Sequence, residues 1–427
     1  MSKMMKIIGA VAIINIMARL FGFIREIAIT NEYGTSNTAD AIATAYSIPN
    51  FIYLVVGGGL TTAFISVYHS TRSDKTMYVR KSLTTVLMTS VFVTVTLIIF
   101  VDPTLKLFFK NRNAEEYALL HNLYLWMMPS AIILVLSTWM SGVLNVNGKY
   151  NLSSVAVLLY NVAFVAIAVL LTSYFGPESY GIGALCSALL MGGFLYVGLR
   201  KSKLYSLKPS LGMSEDIKKL WVIALPILFG GASLQFYILI HRIMSNWFGE
   251  GVTTVVNIAS KSTGLPQAIL MTAVTTVIYP LLSKKEGEGN METIRTLYKK
   301  GLLYLFALLV PATAIAYFFA EPLISLVFER KEFTRESVLL TVPIFRAFSL
   351  SMFFLAANTF ITRFYYAKAN SIAPVLFSVI SVLGINVGVI YLMMDSFGAS
   401  AIAYGTTISA AANFLMLVIY ARMKWKL

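Results

Sequence analysis

The stretch SSVAVLLYNVAFVAIAVLLTSYF, Ser153–Phe175, contains no charged residue from end to end. A helix needs about 20 apolar residues to cross the hydrocarbon core of a bilayer, so this segment reads as one complete crossing. Working outward, similar runs bounded by Gly, Pro and charged residues give spans at 5–23, 40–67, 79–101, 119–144, 153–175 and 180–199. A second set falls at 218–247, 252–282, 300–320, 338–362, 371–394 and 398–421. The fold expected is an all-α polytopic membrane protein with about twelve transmembrane helices. Composition agrees: of 427 residues 58% are hydrophobic and 12% charged, and mean hydropathy is +0.75, far outside the range of a soluble domain. The single cysteine, Cys186, lies in an apolar stretch and excludes a disulfide scaffold. The first apolar run carries Arg19 and lacks a small-residue cleavage site, so it is expected to be the first span and not a removed signal.

The net charge is +15, from 34 Lys+Arg against 19 Asp+Glu. In a soluble chain that surplus would suggest nucleic acid. Here the basic residues are scattered between apolar runs, and no nucleic-acid partner is expected. With the N-terminus placed in the cytoplasm, about two thirds of the 34 basic residues fall on the inner side, and the acidic residues gather outside. An even number of spans with both termini cytoplasmic satisfies every loop. The chain also repeats itself. Pro49 and Pro266 are 217 residues apart, Pro129 and Pro343 are 214 apart, and Thr61-Thr62 stands 214 before Thr275-Thr276. Six spans per half gives two repeats of the same orientation, residues 1–205 and 206–427, expected as parallel six-helix bundles around a central cationic cavity. That is a transporter architecture.

Four cations lie within the spans: Arg19, Arg242, Lys261 and Arg346. Each costs about 2.5–3.5 kcal/mol even on the lenient insertion scale, and such residues usually face a bundle interior or a watery cavity. Almost no carboxylate lies at the same depth, so the cavity invites an anion, and guanidinium suits phosphate through bidentate hydrogen bonds. Arg346 is close enough to a span end to snorkel outward. Arg242, near Trp247 and Phe248, is open both to that reading and to a ligand-binding one. Lys261 is too deep to reach either surface easily, and Arg19 is similarly deep. Arg25 follows Arg19 on another side of an ideal helix, with Gly22 between them to relax that geometry. Asp40 is either a first-turn carboxylate serving the helix dipole or a partner of Arg19 or Arg25 that releases it as ligand arrives. Pro49 with Gly57-Gly58-Gly59, and Pro266 beside Lys261, make bendable helices next to these charges, or close-packing ones. The nearest approach to an ATP-binding loop, Gly142 to Gly148-Lys149-Tyr150, fails in spacing and lacks Ser or Thr. The three histidines are scattered and no hydrolase motif occurs, so neither a metal site nor an enzyme is expected.

Several segments resemble the MurJ (MviN) lipid II flippases of bacteria, within the multidrug/oligosaccharidyl-lipid/polysaccharide exporter superfamily. RLFGFIRE, Arg19–Glu26, looks like the family's R-x-x-G-F-x-R-[DE], and TADAIATAYSIPN, Thr38–Asn50, is similar to its acidic and P-N segment. NIASKSTGLPQAILMTAVTTVIYPLLSK (Asn257–Lys284), LVFERKEFT (Leu326–Thr334) and RFYYAKANSIAP (Arg363–Pro374) match later signatures. The resemblance implies export of a polyprenyl-pyrophosphate-linked glycan, most specifically lipid II, across a bacterial cytoplasmic membrane without ATP. Another exopolysaccharide or teichoic-type lipid-linked unit is the alternative, and a cation-coupled drug antiporter a more distant one. The family's essential cavity residues fall on Arg19, Arg25, Asp40 and Lys261, the last a lysine where arginine is usual. His241 stands near a position where some members carry a sodium-binding aspartate, and the family's common fourteen helices compare with twelve here. The resemblance also implies a drive from membrane potential or a monovalent cation, and contact with other cell-wall synthesis proteins.

Overall fold

The structure, a computed structural model, describes residues 3–71, 74–108, 113–202, 205, 208–230, 233–288, 290–368 and 370–427. Its helices in chain order are α1 (Lys3–Tyr33), α2 (Asn37–Ser70), α3 (Lys75–Ile99), α4 (Val101–Phe108), α5 (Ala114–Val146), α6 (Tyr150–Phe175) and α7 (Glu178–Ser202). They continue with α8 (Glu215–Gly230), α9 (Ser233–Ser245), α10 (Val252–Gly287), α11 (Met291–Phe318), α12 (Ala320–Phe328), α13 (Arg335–Ala367), α14 (Ile372–Phe397) and α15 (Ser400–Trp425). Nine of these, α2, α3, α5, α6, α7, α11, α13, α14 and α15, are long and apolar enough to cross a membrane among the described residues. The other three expected spans fall on α1, on the pair α8 and α9, and on α10, all helical. Those three carry Arg19, Arg242 and Lys261. One expected boundary moves: α1 does not end at residue 23 but continues to Tyr33, so Arg25 belongs to the helix and not to the loop after it.

Helices are the natural solution because lipid offers no partner for backbone N–H and C=O groups. Pro49 cannot donate to the carbonyl of Ala45, yet α2 stays continuous past it and widens into a π turn at Tyr53–Gly57, where the glycine triple begins. A second π turn, Ile380–Asn386, interrupts α14 around Gly384. Pro266 lies inside α10, which is not interrupted there. Around Gly58 there is open space, whereas a Cβ on Gly57 would lie 3.2 Å from Thr138 Oγ1 and one on Gly59 2.7 Å from Leu228 Cδ2. Packing glycines thus flank an unconstrained one.

Contacts divide the chain into two compact units, Met1–Ile29 with Asn37–Gln235, and Thr30–Ser36 with Phe236–Leu427. The first unit buries Trp139 against Phe64, which stacks on Tyr78 at 5.4 Å, and Trp139 donates its indole N–H to Ser82 Oγ at 3.2 Å. The second centres on Leu305, Leu309, Met352, Phe360 and Phe364. Each unit also holds a corner that hydropathy did not reveal. After α3, Phe100-Val101-Asp102-Pro103 turns the chain into the short α4; after α11, Phe319-Ala320-Glu321-Pro322 turns it into α12, 219 residues later. The corner residues adopt nearly the same backbone angles, φ −94°, ψ 35° at Phe100 and φ −100°, ψ 25° at Phe319. Proline is tolerated there because a first-turn N–H has no helical acceptor, and the adjoining carboxylate complements the helix dipole. The two corners thus share one backbone geometry.

The turn Thr30–Ser36 is seated in the second unit: Thr35 and Ser337 share a hydroxyl hydrogen bond of 2.8 Å, and Lys331 faces Glu32 at 3.6 Å. The seat is backbone against backbone. Gly251, at φ +73°, lies so close that a Cβ would fall 2.2 Å from the carbonyl oxygen of Thr35. Both the positive φ and the contact demand glycine. Gly251→Ala is therefore expected to lower the thermal midpoint of the purified protein by several degrees, whereas Gly193→Ala, mid-helix with no atom within 4 Å, leaves it unchanged or raises it.

Candidate functional site

In the first unit the site is built where α1 meets α6. Gly22 lets the helices approach: a Cβ there would lie 3.3 Å from Asn161 Oδ1. One turn further along both helices, Arg25 reaches Phe164. The Arg25 side chain is only 7% exposed. Its Cζ lies 4.0 Å from the ring centroid of Tyr46 on α2 and 4.8 Å from that of Phe164. Those rings are 5.5 Å apart with their planes inclined at 59°, so they meet the guanidinium as two tilted walls. On the remaining side Nη2 and Nε approach Oε1 of Glu26, at 3.2 and 3.4 Å. Nη1 is buried and has no hydrogen-bond partner.

The walls are themselves held. Tyr46 directs its hydroxyl to Asn50 Oδ1 at 3.4 Å and lies 3.5 Å from the Tyr160 hydroxyl, while Tyr160 and Phe164 contact edge to face at 6.0 Å. Gly183 on α7 makes room behind Phe164, since a Cβ there would come within 3.2 Å of the ring and of the Phe164 carbonyl. Asp40, in the first turn of α2, is fully buried in the same unit. Arg19 lies on α1 with its side chain exposed.

In the second unit Lys261 is half-buried in the first third of α10, five residues before Pro266. Arg242 on α9 is buried and engaged with α10: Nη2 donates to Asn257 Oδ1 at 2.8 Å and Nη1 to the Thr253 carbonyl at 3.3 Å. Ser245 and Thr253 share a further hydroxyl contact of 2.8 Å across the same seam. This is the environment of a brace between two helices, not of an arginine at an interface. Arg346 lies across the end of α11, donating from Nε to the Tyr317 carbonyl at 3.2 Å. His241 is buried, with Nε2 2.8 Å from Thr406 Oγ1 and its ring against Phe348 at 5.3 Å.

The structure thus keeps Arg19, Arg25 and Asp40 in one unit, and Arg242 and Lys261 in the other. Sequence reading missed the partners that define Arg25: Glu26, Tyr46, Tyr160 and Phe164. Two of them, Tyr160 and Phe164, form an i, i+4 aromatic pair inside the charge-free span, and that spacing was the available signal.

Comparison with known proteins places this arrangement. The sequence profile of the family described as "Lipid II flippase MurJ" matches residues 29–427. A probable lipid II flippase MurJ of Rhizobium meliloti (strain 1021) is 26% identical over 96% of this chain and 78% of its own length. The lipid II flippase MurJ of Burkholderia cenocepacia is 24% identical over 96% of this chain and 82% of its own. Among solved structures, a lipid II flippase MurJ in an inward closed conformation superposes with a TM-score of 0.83 at 21% identity, over 96% of this chain and 87% of that one. An inward-facing MATE family transporter of the MOP superfamily gives 0.80 at 16% identity, over 97% and 98%, a likeness of fold. With the profile running over nearly all of its length, the chain belongs to the lipid II flippase MurJ family.

Proposed function

We propose that this chain moves lipid II, the undecaprenyl-pyrophosphate-linked peptidoglycan precursor, from the inner to the outer leaflet of a bacterial cytoplasmic membrane by alternating access. The observation that carries the reading is Arg25: a buried guanidinium walled by uncharged rings, with one N–H group unmatched. A pyrophosphate brings acceptor oxygens to such a group and offsets its charge, and a permanently protonated guanidinium suits it better than a titratable base. Arg19, Arg25 and Lys261 bind the pyrophosphate, Asp40 exchanges with it as the intramolecular anion, and the lipid tail stays in the bilayer. Gly22, Pro49, Gly58 and Pro266 supply close packing and flexure.

The repeats are residues 1–205 and 206–427, with both termini cytoplasmic, a placement that the distribution of Lys and Arg supports. The drive is a gradient, membrane potential or a monovalent cation, because the sequence contains no phosphate-binding loop of the right spacing. Other cell-wall synthesis proteins are natural partners, since they make and consume the cargo.

The reading is tested by transbilayer movement of labelled lipid II in vesicles containing only this protein: movement above empty vesicles supports it, and its absence with properly folded protein overturns it. Arg19→Ala and Lys261→Ala are each expected to fold with an unchanged thermal midpoint and to fail to restore growth of a flippase-depleted cell. Full rescue by both would overturn their roles. Arg242→Leu is expected to act first on stability. Losing its hydrogen bonds to Thr253 and Asn257 costs about 3 kcal/mol, visible as a lower thermal midpoint before any transport measurement.

A further inference from the structure

We infer that Tyr46 and Phe164 are positioning residues for the substrate: together they fix the Arg25 guanidinium so that its unpartnered Nη1 edge is presented to the pyrophosphate. The inference rests on the proposed role of Arg25 and extends it to residues that no charge argument selects.

The geometry distinguishes two ways of holding a buried cation. A carboxylate or carbonyl on every N–H would satisfy the guanidinium and leave nothing for a ligand. Arg25 has one such partner, Glu26, on its Nη2 and Nε side. Its other neighbours include the faces of Tyr46 and Phe164, with ring centroids at 4.0 and 4.8 Å. A ring attracts the cation through its quadrupole but accepts no in-plane hydrogen bond, so it stabilises the charge without occupying the N–H groups. Two rings inclined at 59° to one another also remove rotations that a single stacked ring would permit. The walls cannot easily yield: the hydroxyls of Tyr46 and Tyr160 lie within reach of each other, and Phe164 is packed directly on the backbone of Gly183. The corner therefore fixes the guanidinium before ligand arrives, and preorganisation of that kind lowers the entropy lost on binding.

The test is a double-mutant cycle on the full-length protein in detergent, with lipid II itself as the probe and the dissociation constant as the readout. Phe164→Leu is expected to weaken binding about tenfold, the order of a desolvated cation–π contact, in protein that still folds with a modestly lower thermal midpoint. Phe164→Tyr, which keeps the ring, is expected to bind as the parent does. In an Arg25→Ala background Phe164→Leu is expected to cause no further loss, because the ring then has no cation to hold. Equal losses in both backgrounds, or parental binding by Phe164→Leu, would overturn the inference while leaving the role of Arg25 intact. Parental binding by Arg25→Ala alone would instead overturn the role of Arg25, and the corner with it. If Phe164→Leu does not give folded protein, Tyr46→Leu removes the other wall and enters the same cycle with the same criteria.

Discussion

A guanidinium in a membrane cannot escape its charge by giving up a proton, so everything around it must make the charge tolerable. At Arg25 that requirement reaches through three neighbouring helices. Gly22 is small so that α1 can lie against α6, and Phe164 can then serve as a wall. Gly183 is small so that α7 can lie against Phe164 and hold it. Tyr46, half-buried on α2, closes the other side and is tied within its own helix to Asn50. The small residues and aromatics at these positions along the three helices together enclose one cation.

The two units meet the general demand of the bilayer in a shared way. A chain leaving one crossing and entering the next must turn without stranding backbone groups in lipid. Both units solve this after α3 and α11 with a phenylalanine at the break and an acidic residue and a proline opening a short helix. The corners bury Leu105 and Phe108 in one unit and Ile324 and Phe328 in the other, so each short helix is anchored by the same apolar face. Shared geometry at equivalent points, with little identity between them, is what a duplicated architecture under one physical constraint produces.

The crossings were legible because a helix in lipid must be apolar on every side for about 20 residues, whereas a helix at the surface of a soluble domain keeps one polar face. The end of α1 was not. RLFGFIRE reads as the close of a hydrophobic run, yet the helix continues, with Arg25 paired to Glu26 through Nη2 and the rings of α2 and α6 covering the cation. That information lies far along the chain, at Tyr46 and Phe164, beyond any local window. Depth rules marked Arg19, Arg242 and Lys261 as costly but could not say what each touches. For Arg242 the decisive partners, Thr253 and Asn257, are polar and uncharged, and hydropathy gives them little weight. The Phe-acid-Pro corners were legible in principle, but a four-residue pattern carries little information until the backbone angles coincide.

Arg25 and Arg242 are the same residue type, each buried in a helix expected to be its counterpart's repeat, and their surroundings assign them different work. Arg242 gives its N–H groups to an amide oxygen and a backbone carbonyl, which bind it firmly and leave α9 and α10 joined. Arg25 is surrounded mainly by ring faces, which offset its charge but cannot accept the hydrogen bond of Nη1. A burial argument treats the two as equals, since both remove a cation from water. The acceptors differ: oxygen atoms take hydrogen bonds from both Nη1 and Nη2 of Arg242, whereas Nη1 of Arg25 has none and, on the proposed reading, keeps that capacity for an anionic ligand.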